Sequence, residues 1–201
     1  MKIGILGGGQ LGRMFIQNAL NYDDEFHVLD PNSDCSCAYI SHFSQGNFNS
    51  YEDVLAFGQD KDVISIEIEH VNVDALFELE KQGKKVIPNA EIIKTIQQKI
   101  LQKEFYKKHN IPSPDFEIFD GTSDEIKIKF PFVQKLNTGG YDGKGVQIIK
   151  NAEDLKNLWT EDSVLENLVD IDKELSIIIA KNENGETKTF PVTEMVADEK
   201  L

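Results

Sequence analysis

Lys2-Ile3-Gly4-Ile5-Leu6 has the length and apolar content of a buried strand, and Gly7-Gly8-Gly9 ends it abruptly. A helical pattern starts at once, with Leu11, Met14, Phe15 and Asn18 at helical spacing between Gln10 and Leu20. A strand that turns through glycines directly into a helix is the opening unit of an α/β sheet. The alternation continues. Phe26-His27-Val28-Leu29 reads as a second strand, ended by Asp30-Pro31. Ser50 caps a helix, with Asp53 three residues on. Val63-Ile64-Ser65-Ile66 is a β-branched strand, Asp74 to Gln82 a helix, and Lys85-Val86-Ile87 a strand closed by Pro88-Asn89. This β-α-β-α-β order predicts a doubly wound, Rossmann-like parallel sheet up to about residue 88.

The texture then changes. Ile92 to His109 reads as one long polar helix rich in Lys and Gln, stopped by Ile111-Pro112-Ser113-Pro114. Strands dominate afterwards, near 115–119, 131–136, 145–149, 163–166, 174–181 and 188–193, with a helix at 151–159 following Asn151. The second half is therefore expected to be α+β with an antiparallel sheet. The boundary falls near residues 90–98, giving domains 1–95 and 96–201.

Charge narrows the function. The chain carries 35 acidic and 21 basic residues, net −14. That disfavours a nucleic-acid binder, which needs clustered Lys and Arg. It does not disfavour a nucleotide ligand, because one loop can hold phosphates in an acidic protein. Cys35 and Cys37 lie one residue apart, which is neither a disulfide framework nor a four-ligand zinc pattern, and they read as free thiols. No apolar run reaches membrane-spanning length, and the N-terminus runs into a strand rather than a signal peptide. A cytoplasmic location with no membrane partner is expected.

Two glycine loops carry the chemistry. Gly7, Gly9 and Gly12 fit G-x-G-x-x-G between a strand and a helix, where backbone N–H groups at the helix N-terminus suit a phosphate. Asp30 ends the next strand, 18 residues after Gly12, where a dehydrogenase would place its ribose-binding acid. On these residues alone an NAD-binding oxidoreductase stays open. Glu67-Ile68-Glu69-His70 follows the third strand, where open α/β sheets bind ligands, and Glu67 and Glu69 share a face while the strand lasts.

The second loop, Thr138-Gly139-Gly140-Tyr141-Asp142-Gly143-Lys144-Gly145, has more glycine than a hairpin turn requires. Such a loop is a flap whose N–H groups can close over phosphates, with Lys144 as a point charge. Lys135, on the strand before it, can reach a nucleotide phosphate. Glu166 ends one strand and Glu174 begins another, positions from which a carboxylate can hold a ribose or an adenine edge.

The succession GGGQLGRM, EIEHV, a Gln/Lys-rich helix ending in IPSP, QKLNTGGYDGKG, and a Glu ahead of an ELS strand resembles the 5-(carboxyamino)imidazole ribonucleotide synthases of the ATP-grasp superfamily. The resemblance covers essentially the whole chain. It implies a pre-ATP-grasp domain followed by the first part of an ATP-grasp domain. It also implies a ligase that joins ATP, bicarbonate and 5-aminoimidazole ribonucleotide in purine biosynthesis, releasing ADP and phosphate. In that family ATP phosphorylates bicarbonate, and the carboxyphosphate or its CO2 is captured by the substrate amine. Mg2+ bridges the nucleotide phosphates, and the enzymes are often homodimers.

Carried over position by position, the resemblance assigns Gly8, Gly9, Gln10, Leu11, Glu69, Tyr141 and Lys144 to the substrate ribonucleotide. It assigns Lys99, Lys135, the flap Gly140, Tyr141, Asp142, Gly143, Lys144, Gly145 and Val146, the linker Glu166, Asn167, Leu168 and Val169, and Glu174 to ATP. The chain departs from the family at Lys144, often arginine there, at Val146, commonly glutamine, and at Ala197-Asp198, where a histidine is expected. The family's catalytic residues are not assigned to this chain, and its acidic magnesium ligands are expected beyond Leu201. The 201 residues alone are therefore expected to be inactive. Two other readings remain at this point: a different ATP-grasp ligase or carboxylase, and a binding module.

Overall fold

The computed structural model describes residues 1–122, 126–140 and 144–196. In the first region, β1 (Lys2–Leu6), α1 (Gln10–Ala19), β2 (Glu25–Asp30), β3 (His42–Gln45), α2 (Tyr51–Gly58), β4 (Val63–Ile66), α3 (Val73–Lys81) and β5 (Lys85–Ile87) follow in order. The five strands form one sheet in the order β3-β2-β1-β4-β5, every pair parallel. Alternating strand residues supply both faces. Ile5, Phe26 and Val28 meet Ile16 and Ala19 of α1. Leu6, Leu29 and Ile64 meet Val54 of α2 and Leu76 and Leu79 of α3. Leu79 is fully buried, so Leu79→Ala should cost about 2–5 kcal/mol. The helix starts are fixed by side chains, since Ser50 accepts from the Asp53 N–H and Asn72 from the Ala75 N–H.

β3 was not expected from the sequence. His42-Phe43-Ser44-Gln45 has one apolar residue, Phe43, which packs against the α1-side core. As an edge strand it has a single neighbour, β2, and needs no continuous apolar run.

The long helix expected over 92–109 is two helices, α4 (Ala90–Gln97) and α5 (Lys99–Lys108). Gln98 between them is extended (φ −120°, ψ 113°). The α5 start is then capped from another segment: the Lys99 N–H donates to the Asn137 carbonyl (2.9 Å) and the Ile100 N–H to Asn137 Oδ1 (3.0 Å).

The second region is built on β6 (Phe116–Phe119), β7 (Phe132–Leu136), β8 (Val146–Ile149) and β9 (Ser163–Asn167), an antiparallel sheet in the order β6-β9-β7-β8. Phe119, Phe132, Ile149 and Leu165 form its core. The helix expected at 151–159 is a 3-10 turn, Ala152–Asn157. The strand expected over 174–181 is interrupted at Ile177-Ile178. Its parts are β10 (Glu174–Ser176), paired with β13 (Thr193–Met195), and β11 (Ile179–Lys181), paired with β12 (Thr187–Thr189). No helix among the described residues is long and apolar enough to cross a membrane.

Candidate functional site

The first glycine loop is held from three sides. The Gly7 N–H donates to the Leu29 carbonyl (3.0 Å) and the Gly8 N–H to Asp30 Oδ2 (2.8 Å), while Asp30 Oδ1 accepts from the Asn32 N–H (2.8 Å). Asp30 is thus engaged in shaping its own loop rather than presented to a ribose, which removes the main support for the dinucleotide reading. Gly7 has φ +98°, a conformation side chains disfavour. Cys35 and Cys37 are free and buried behind the loop, and the Cys37 N–H donates to the Gly8 carbonyl (3.1 Å). Burial, with Cys35 and Glu67 nearby, pushes the Cys37 thiol up to about 11. Both thiols are structural.

β4 stops at Ile66, so Glu67 and Glu69 do not share a strand face. Glu67 turns onto the glycine loop, where an added Cβ on Gly9 would lie 2.5 Å from its Oε1. Glu69 is exposed, with its carboxylate 3.7 Å from His70 Nε2. Its carbonyl accepts from Gln97 Nε2 (2.6 Å), which ties this loop to the end of α4, two residues before Lys99. Gln10 and Leu11 are exposed at the start of α1.

The second site is a cavity of about 560 Å³ between α5 and the antiparallel sheet. Lys99 and Lys103 from α5, Lys135 from β7, and Glu166, Asn167, Leu168 and Val169 from the end of β9 converge on it. The segment Pro112-Ser113-Pro114 closes one wall. β7 and β8 are the arms of the flap hairpin, with Lys135 opposite Val146, so Val146 belongs to β8 rather than to the loop. Gly140 and Gly145 face each other at the flap's base, and a Cβ on Gly140 would lie 3.7 Å from Lys99 Cε. Tyr141, Asp142 and Gly143 lie outside the described residues, as do Ala197 and Asp198. Glu174 is exposed at the start of β10 and is not part of the cavity wall.

Glu166 is the feature the sequence did not single out for its pairing. It is buried, and its two oxygens each face a lysine: Oε1 pairs with Lys135 and Oε2 with Lys103. Burial alone would raise its pKa, but the two lysines outweigh it and hold the carboxyl below its usual range. Lys103 itself was missed. The available signal was its spacing of four from Lys99, which puts both on one face of α5. Among the residues lining the cavity, Glu166 is the one carboxylate and is already taken by two ammonium groups, so these residues do not fit a magnesium ion. Elsewhere Glu25, His27 and His42 gather within 4.8 Å. The two imidazoles are stacked (centroids 4.7 Å, 26°), so their lone pairs do not converge on one ion.

Family comparison agrees with this geometry. A model described as the ribonucleotide synthetase preATP-grasp domain matches residues 1–97, and the ATP-grasp domain model matches residues 104–201. N5-carboxyaminoimidazole ribonucleotide synthase of Staphylococcus epidermidis is 32% identical, over 96% of this chain and 53% of its own. The N5-carboxyaminoimidazole synthetase of Staphylococcus aureus complexed with ADP superposes with TM-score 0.89 at 31% identity, over 98% of this chain and 55% of that one. The N5-carboxyaminoimidazole synthase of Aspergillus clavatus, in complex with ADP and 5-aminoimidazole ribonucleotide, gives 0.86 at 28% identity, over 100% and 55%. The chain spans about half the length of these relatives. It belongs to the ATP-grasp superfamily and corresponds to the N-terminal half of the N5-carboxyaminoimidazole ribonucleotide synthase family.

Proposed function

We propose that the full-length protein bearing this chain carboxylates 5-aminoimidazole ribonucleotide at the expense of ATP, with bicarbonate as the carbon source. The observation that carries the reading is the cavity in which Lys99, Lys135 and the segment Glu166–Val169 meet at the base of a glycine flap. ADP is bound by the Staphylococcus aureus relative, and ADP with the ribonucleotide by the Aspergillus one.

In this reading Lys99 and Lys135 meet the ATP phosphates and Gly140 to Val146 cover them. Among the described residues, none accepts a hydrogen bond from the Leu168 or Val169 amide, which leaves both for an adenine edge. Glu174 would have to approach the ribose from outside the present cavity wall. Gly8, Gly9, Gln10, Leu11 and Glu69, with Tyr141 and Lys144 from the flap, take the ribonucleotide. The Gln97 bridge to Glu69 couples that loop to Lys99. Magnesium enters with the phosphates and draws its protein ligands from elsewhere than this cavity. Domains 1–95 and 96–201, a cytoplasmic setting and a homodimer belong to the same reading.

The test is ADP release from the full-length protein in bicarbonate, with and without 5-aminoimidazole ribonucleotide. Release that depends on the ribonucleotide is expected. Release independent of it would transfer the cavity to another ATP-grasp substrate, and Lys135→Ala with unchanged ATP dependence would remove Lys135 from the site.

A further inference from the structure

Lys103 and Lys135 contact the same carboxylate but are held differently. Lys103 is 8% exposed, and besides Glu166 it donates to Ser113 Oγ (2.7 Å) and lies 5.6 Å from the centre of the Phe116 ring. Its ammonium is fixed on three sides. Lys135 has a side chain one-third exposed, and among the described residues Glu166 is its one recorded partner. The trio carries two positive charges and one negative, a net +1 on the cavity wall.

A buried carboxylate must keep a counter-ion or take up a proton. If Glu166 had Lys135 alone, that lysine would be bound to it permanently and would be unavailable to an incoming anion. We infer that Lys103 is a positioning residue. It neutralises Glu166 permanently, so that Lys135 can leave the carboxylate for a nucleotide phosphate without stranding a buried charge. This inference rests on the nucleotide reading of the cavity. It predicts that Lys103, which need not touch the nucleotide, controls affinity for its phosphates rather than for its base.

The experiment is calorimetric titration of the full-length protein with Mg-ADP and, separately, with adenosine. Lys103→Met should weaken Mg-ADP by about tenfold or more, with adenosine changed less than about twofold. The double variant Lys103→Met/Glu166→Gln removes the acid together with its counter-ion and releases Lys135, so it should recover most of the lost Mg-ADP affinity. If Lys103→Met does not fold, as thermal melting would reveal, the double variant is compared with Glu166→Gln alone and must both fold and bind Mg-ADP within about threefold of that single variant, because without the acid Lys103 has no charge to neutralise. Equal losses for ADP and adenosine, no loss for either, or no recovery in the double variant would each overturn the inference. Failure of the parent protein to bind Mg-ADP would instead overturn the nucleotide reading, and this inference with it.

Discussion

At Gly8 an added Cβ would run into the Cys35 sulfur, and at Gly9 it would lie 2.5 Å from Glu67 Oε1; at Gly139, in the second loop, it would meet nothing within 4 Å. The first loop needs glycine at Gly8 and Gly9 because their surroundings are full, while Gly7 also turns through φ +98°. The second needs it at Gly139 because the backbone turns through φ +74°, and at Gly145 both for φ +71° and because an added Cβ would lie 3.1 Å from the Gly140 Cα. The acids beside the loops differ in the same way. Glu67 packs against loop backbone, whereas Glu166 lies between two cations. One region is therefore fixed by packing, and the other by charge around an open cavity.

The comparison breaks most visibly at Glu166. Glu166→Ala would leave Lys103 buried without its counter-ion, a change expected to cost about 3–5 kcal/mol in urea unfolding at neutral pH. A loss under about 1 kcal/mol would mean that charge does not hold this region. The pH dependence has a definite sign. The folded carboxyl titrates below its ordinary 4.5, so its contribution is complete above that value and is lost as pH falls below it. The stability gap between the parent and Glu166→Ala should narrow on acidification through that window and stay constant above it.

Next in size is Gly8→Ala, where overpacking against Cys35 and Val28 should cost about 3 kcal/mol. Adding Cys35→Ala removes the sulfur but leaves the neighbouring Cβ and Val28, each 3.1 Å from the new atom. Recovery of about 1 kcal/mol is expected from a double-mutant cycle by thermal melting. Additive losses would show that the loop is not fixed by that contact.

How far the sequence discloses these regions follows from the same distinction. Packing leaves a periodic trace, so β1, β2, β4 and β5 are readable from Ile5, Val28, Ile64 and Val86. Ser50 is readable as a cap because its partner Asp53 is three residues away. Charge pairing across the chain leaves no such trace. Lys103 stands among Lys99, Lys107 and Lys108 and looks like part of a solvated helix face until β9 brings Glu166 to it. The break at Gln98 is equally silent, because Asn137, which caps α5, comes 38 residues after Lys99. β3 is hidden because an edge strand with one neighbour can be polar.

Asn137 offers a smaller effect that separates fold from site. Asn137→Ala removes the side-chain acceptor of the Ile100 N–H and should cost about 1 kcal/mol of stability by urea titration. Because the same cap places Lys99 at the cavity, Mg-ADP affinity should fall too. A stability loss with unaltered affinity would detach Lys99 from the phosphates while leaving the helix start as described.

The smallest effect tests the second loop's use of glycine. At Gly139 a side chain has room, so the cost of alanine is the backbone strain of φ +74°, about 1–2 kcal/mol. Alanine also restricts the unfolded chain, which returns about 0.4–1 kcal/mol. The net loss should be about 0.5–1 kcal/mol, well below that of Gly8→Ala. Asparagine tolerates the left-handed region better than alanine, so Gly139→Asn should be the milder change despite its larger side chain. Thermal melts of the two variants decide the matter. If asparagine is worse than alanine, volume rather than backbone conformation governs Gly139, and the contrast between a crowded Gly8 and an open Gly139 fails.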